Sequence, residues 1–224
     1  MEKVNFRQSQ RGLVHAWKKS RLFNAIDARV SAHFRKKLTN DNFSIICSNC
    51  IGGTIYHRLG KKFLSPTINL FIPERQFPDF CMNLKYYLAQ EPEIVESDFP
   101  YPLGKLHGDG KNIPDIEIHF NHDPDPKEAC RKWNDRKQRI NWDNLYLICY
   151  NLDDITMDQL KQLEQFPCNN RVVLTKEPLP GISWSYYIEP KMKYKFPFAY
   201  LGKDVFGVRH FEKEWDYISF LNKK

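Results

Sequence analysis

Between residues 43 and 175 the chain alternates short apolar runs with segments of helical periodicity, and this alternation limits the fold more than anything else in the sequence. Runs of β-type residues lie at 43–49, 65–72, 115–120, 145–149 and 171–175. Helical patterns fill the gaps at 54–59, 75–90, 127–140 and 157–166. Such a succession predicts a mostly parallel sheet with helices on both faces, an α/β fold in three layers. An edge strand is expected near Val95, inside a Pro- and Gly-rich loop over 92–110, and an amphipathic piece closes the chain at 211–221. Ligands of open α/β sheets bind outside the carboxyl ends of the strands. That rule selects the loops 48–53, 121–126 and 150–154.

A basic helix is expected over 12–38, with Leu22, Ile26, Val30, Phe34 and Leu38 as its apolar row. Residues 1–40 carry ten Lys/Arg and two Asp/Glu, so this arm holds a balance of +8 out of the chain's net +7. The remainder is close to neutral, which argues against a nucleic-acid binder. The reading is therefore an arm at 1–40 and one α/β domain at 41–224. The helix either docks on an anionic membrane surface or a partner protein, or packs on its own domain. No apolar run reaches the roughly 18 residues of a membrane span. No leader pattern opens the chain, so its six cysteines are expected as reduced thiols in the cytoplasm.

The loop Ser48-Asn-Cys-Ile-Gly-Gly53 leaves a strand and enters a helix that Thr54 could cap and Gly60 would stop. Its two glycines, Gly52 and Gly53, allow a ligand to approach closely. Free N–H groups at the helix start suit a developing oxyanion and would lower the pKa of a thiol. Cys50 is thus a candidate nucleophile, or a small buried side chain, and Asn49 a candidate oxyanion donor. Zinc on Cys47 and Cys50 would need a second convergent pair. His119 and His122 straddle a strand end, so no metal is expected. His122 sits just past a strand, where it could move protons, with Asp115, Asp123 or Asp125 to orient it. Trp133, Arg136 and Ile140 share one helical face. Arg136 could bind a phosphate or carboxylate, or Arg136 or Arg139 could pair with an Asp inside the domain.

Taken together, Ser48-Asn-Cys-Ile-Gly-Gly53, Ser65-Pro66, Phe120-Asn-His122 and Ala129-x-x-x-Trp133-x-x-Arg136-x-x-Arg139-Ile140 resemble a bacterial family found with exopolysaccharide and capsule biosynthesis genes. The resemblance covers about residues 40–215 and leaves out the basic helix. It implies a Rossmann-like fold and a likeness to acyltransferases. Asn49, Cys50, Gly52, Gly53, His122, Trp133, Arg136 and Arg139 are the positions carried over, and Ser48 of the same loop is a further substrate-binding candidate. The expected activity is acyl transfer from acyl-CoA, a co-substrate and not a tightly bound cofactor, to a sugar hydroxyl of a glycan precursor. In that reading His122 is the base, residues 49–53 hold the oxyanion, and Arg136 or Arg139 holds donor phosphates. The rivals are glycosyl transfer from a nucleotide sugar and a non-catalytic assembly protein. The latter would sit peripherally on the inner membrane, or on a partner glycosyltransferase, through residues 12–38.

Overall fold

A computed structural model describes residues 16–151, 154–188 and 201–223. The expected α/β architecture is present. Four parallel strands run in the order β1 (Ser44–Cys47), β5 (Leu145–Asn151), β6 (Asn170–Thr175), β7 (Ser185–Tyr187). Every residue of β1 is buried, as expected of a mostly apolar strand covered on both faces. One face packs under α1 (Arg21–Lys37), α2 (Ile51–Leu59), α7 (His210–Glu214) and α8 (Tyr217–Asn222). The other packs against α3 (Phe77–Met82), α4 (Leu84–Leu88), α5 (Pro126–Lys137) and α6 (Met157–Leu163).

The run at 115–120 does not join this sheet. It forms β4 (Ile116–His119), which pairs antiparallel with β3 (Leu103–Leu106), and β3 pairs antiparallel with β2 (Glu93–Val95). The expected strand at 65–72 is an irregular segment lying between the two sheets. Asn69 takes a left-handed backbone (φ 61°), which a strand cannot contain. Side chains replace the missing ladder: the Cys47 N–H donates to Thr67 Oγ1 at 3.0 Å. Further along, the Ile72 N–H donates to the Ser48 carbonyl, and Phe71 bridges to His119. The segment thus joins the parallel and antiparallel sheets without being a strand of either.

Two helices differ from expectation. The helix at 75–90 breaks at Asn83, whose side-chain amide donates to the Asp79 carbonyl at 3.1 Å and competes with helical pairing. α2 begins at Ile51 rather than after Thr54, whose hydroxyl donates back to Ile51 O; Gly60 (φ 62°) ends it as expected.

The described part of the N-terminal arm lies on the domain. Phe23 is buried, and Ile26, Val30, Phe34 and Leu38 are half-buried, whereas Leu22 is 59% exposed. Phe34 stacks on Tyr217 and lies 5.4 Å from it, and Arg58 of α2 pairs with Asp27. The apolar stripe is therefore covered by the chain's own domain, and the outward surface of α1 is its basic one, with Arg21, Arg29, Arg35, Lys36 and Lys37 exposed. Among the described residues no helix is long and apolar enough to cross a membrane.

Candidate functional site

β1 ends at Cys47, and Ser48-Asn49 turns the chain into α2, with Cys50 at the N-cap position. The Asn49 side chain caps the helix: its Oδ1 accepts from the Ile51 N–H at 3.0 Å and, more weakly, from the Cys47 thiol at 3.7 Å. These donors fix the orientation of the amide, leaving Nδ2 as a donor with no partner among the described residues. β4 ends at His119, and the turn that follows carries Asn121 and His122. The linking segment 65–72 holds the two chain ends side by side. There Cys50 Sγ lies 3.2 Å from His122 Nε2. Two candidate residues from loops far apart in the sequence thus come into contact.

Cys50 is 5% exposed, while His122 is exposed. Burial pushes the Cys50 thiol above its ordinary 9.0, and a hydrogen bond from the Asn121 side chain works in the opposite direction. The expected lowering by the helix start does not prevail, because desolvation of a thiolate outweighs the field of a nine-residue helix. Cys47 is more deeply sealed, and burial pushes it up to about 12. Asn121 Oδ1 is buried with no hydrogen-bond partner among the described residues. Among the described residues no cluster of His, Cys, Asp and Glu could hold a metal ion.

A cavity of about 500 Å³ opens beside the pair at the carboxyl ends of β1 and β5. Asn49 and Asn121, the neighbours of the thiol and the imidazole, line it; Cys50 and His122 do not. Ser48, Tyr150 and Asp154 add the strand ends that the sheet rule selected. Phe71, Glu74 and Tyr101 complete much of the wall. Sequence reasoning missed these three and Asn121. Only the position of Asn121, next to His122 past a strand end, could have signalled one of them.

Several expected site residues do other work. Gly52 and Gly53 are buried against other parts of the chain: a Cβ on Gly53 would stand 2.8 Å from Asn69 Oδ1 of the linking segment, and one on Gly52 3.1 Å from Cys47 Cβ of β1. Their freedom admits protein, not ligand. The Ile51 N–H is occupied by Asn49, so it is not a vacant oxyanion donor. Trp133 is buried in the core, and its Nε1 donates to Gln90 O. Arg136 is buried too: it donates to the Ile68 carbonyl at 2.7 Å and lies over the Phe63 ring, so it anchors the linking segment and does not reach a ligand. Arg139 is half-buried, with no side-chain partner among the described residues. None of the three aspartates orients His122. Asp123 pairs with Lys132, Asp125 caps α5, and Asp115 pairs with Lys105.

A family model described as a domain of unknown function (DUF1919) matches residues 22–222. The chain belongs to this family. The match takes in α1, so the helix that was expected to lie outside the resemblance is part of the family domain. The chain is also similar to an uncharacterized protein of Haemophilus influenzae, 31% identical over 196 residues, which span 86% of this chain and 90% of that protein.

Proposed function

We propose that the protein is a thiol-dependent acyltransferase, with Cys50 as nucleophile and His122 as the general base. The observation that carries this reading is the 3.2 Å contact between Sγ and Nε2 beside the cavity. Because burial keeps the thiol protonated, the proton moves during attack and not before it. Cys50 Sγ attacks the acyl carbonyl of a thioester donor such as acyl-CoA while its proton passes to His122 Nε2. The side-chain amide of Asn49 or Asn121 donates to the tetrahedral oxyanion. The intermediate collapses, the donor thiolate leaves with the proton from His122, and Cys50 carries the acyl group. An acceptor hydroxyl then attacks the acyl-enzyme, His122 takes the hydroxyl proton, the ester departs, and the thiol regains its proton.

The cavity wall carries Glu74 and Asp154, and no Lys or Arg among the described residues. This argues against a nucleotide sugar with its diphosphate inside, and for donor phosphates that stay outside. With Arg136 spent on Ile68 O, Arg139 is the remaining matching residue for them. The acceptor in this reading is a glycan precursor, and a place in surface-polysaccharide assembly is part of the proposal.

The test is intact-mass measurement after mixing with acetyl-CoA. The wild type gains one acetyl group, and Cys50→Ser gains none. His122→Gln slows acylation by roughly 10²–10⁴-fold, the usual worth of a positioned base. Release of CoA by Cys50→Ser at the wild-type rate would refute the reading.

A further inference from the structure

Two aromatic rings join the amides in the cavity wall, and each is backed by another ring. Phe71 stacks on His119 with centroids 4.2 Å apart and planes within 11°. Tyr101 stacks on Phe99 at 5.3 Å and 6°. The two stacks meet edge to face, Phe71 against Tyr101 at 6.4 Å, and Phe99 against His119 at 4.9 Å. His119 is buried, and burial lowers its pKa, so the ring behind Phe71 stays neutral at ordinary pH. Of these four rings, Phe71 and Tyr101 line the cavity. Each has one side fixed against its backing ring, so the wall is held in place before any ligand arrives.

We infer that this wall is the acceptor subsite and that it selects an uncharged saccharide over an acidic one. The inference rests on the acyl-transfer reading for its purpose, though not for its binding test. The face of an aromatic ring is electron-rich, and the C–H bonds on one side of a pyranose present a flat, weakly positive surface to it. Asn49 Nδ2 and the orphaned Asn121 Oδ1 supply one donor and one acceptor for sugar hydroxyls. Asp154 accepts from a further hydroxyl. Its carboxylate repels a uronate or a sugar phosphate, and no Lys or Arg lines the cavity among the described residues.

The experiment titrates the full-length Cys50→Ser variant with methyl glucoside, N-acetylglucosamine and glucuronate, read by saturation-transfer NMR. The neutral sugars bind, and glucuronate binds about tenfold more weakly, the size of one modest charge repulsion in a partly open site. Tyr101→Ala weakens neutral-sugar binding about tenfold, whereas Tyr101→Phe, which keeps the ring, leaves it within twofold. Circular dichroism confirms that both variants are folded. Glucuronate binding as tightly as the neutral sugars, no binding by either neutral sugar, or indifference to Tyr101→Ala would each overturn the inference. An acetyl adduct on wild-type Cys50 without sugar binding leaves the transferase reading intact and removes the saccharide. Sugar binding without an adduct does the reverse.

Discussion

Arg58→Met tests whether the N-terminal helix is part of the folded unit. The Arg58 side chain is 1% exposed, and its guanidinium meets three separate parts of the chain. Nε and Nη2 donate to the two oxygens of Glu212 on α7, each at 2.7 Å. Nη1 donates to Asp27 at 2.7 Å and to Ser31 at 3.0 Å, both on α1, and Nη2 also reaches the Gly207 carbonyl. The Glu212 side chain is fully buried, while that of Asp27 is 23% exposed. Methionine keeps most of the volume and removes the charge. Glu212 would then be a buried carboxylate whose nearest cation is Arg209, at 3.9 Å. Breaking one side of a buried pair costs about 3–5 kcal/mol. For a chain of this size each kcal/mol moves the melting temperature by roughly 2–4 °C, so a fall of about 10 °C is expected.

Two controls separate this from simple loss of packing. Arg58→Met with Glu212→Leu removes both charges, and it should recover most of the loss, because an apolar pair of similar volume needs no solvation. The second control is pH. Burial raises the Asp27 carboxyl, but hydrogen bonds and charge from Lys203 and Arg58 outweigh it and hold the group below its ordinary 3.8. A depressed folded pKa contributes stability that is present above the unfolded value and is lost as pH falls through the folded one. The gap between wild type and Arg58→Met is therefore widest near neutrality and narrows as pH drops below about 3.8. Urea melts measure both effects. A single-variant loss under about 1 kcal/mol, or a double variant no better than the single, would refute the reasoning.

Two further outcomes follow from the site's surroundings. Arg136→Met loses a charged hydrogen bond to Ile68 O and should cost about 1.5–3 kcal/mol in denaturant melts, whereas Arg139→Ala stays within about 0.5 kcal/mol. Equal costs would show that Arg136 does not anchor the linking segment. Alkylation of Cys50 by iodoacetamide, read by peptide mass, should accelerate as pH rises through and beyond 9.0, because burial raises that thiol. A rate that is already maximal and flat between about pH 6 and 8 would instead mean a preformed thiolate, and would sink the general-base step.

The parts of the fold that rest on local pattern were legible: the buried strands β1, β5 and β6, the αL stop at Gly60, and helices α5 and α6. Two strands of the antiparallel sheet, the one at Val95 and the one at 116–119, were legible as strands, but their common partner β3 and their separation from the parallel sheet were not. Leu103-Gly-Lys-Leu106 is four residues with a glycine inside a Pro-rich stretch, and it becomes a strand through its pairing with Ile116–His119, a tertiary contact with no local signature. At 65–72 the apolar pattern of a strand is present, but one left-handed residue, Asn69, overrides it. The Cys50–His122 contact was reachable because strand ends collect functional groups. The aromatic wall was not, since Phe99 and Tyr101 sit in a loop whose path no periodicity reports.

The misread residues share one cause. Gly52, Gly53 and Arg136 looked like ligand-facing groups because small residues and cations gather at binding sites. All three instead face the protein interior: Gly52 lets α2 approach β1 at Cys47, Gly53 lets it approach Ile68 and Asn69 of the linking segment, and Arg136 ties down the Ile68 carbonyl. The same segment donates from Ile72 N to Ser48 O on one side and bridges Phe71 to His119 on the other. It therefore fixes the spacing between the end of β1, which carries Asn49 and Cys50, and the end of β4, which leads to Asn121 and His122. The thiol–imidazole contact and the seat of Phe71 both depend on that seam. Residues that never touch a substrate thus set the geometry of the site, and a close backbone approach in the interior can leave the same glycine-and-arginine pattern in a sequence as a binding loop.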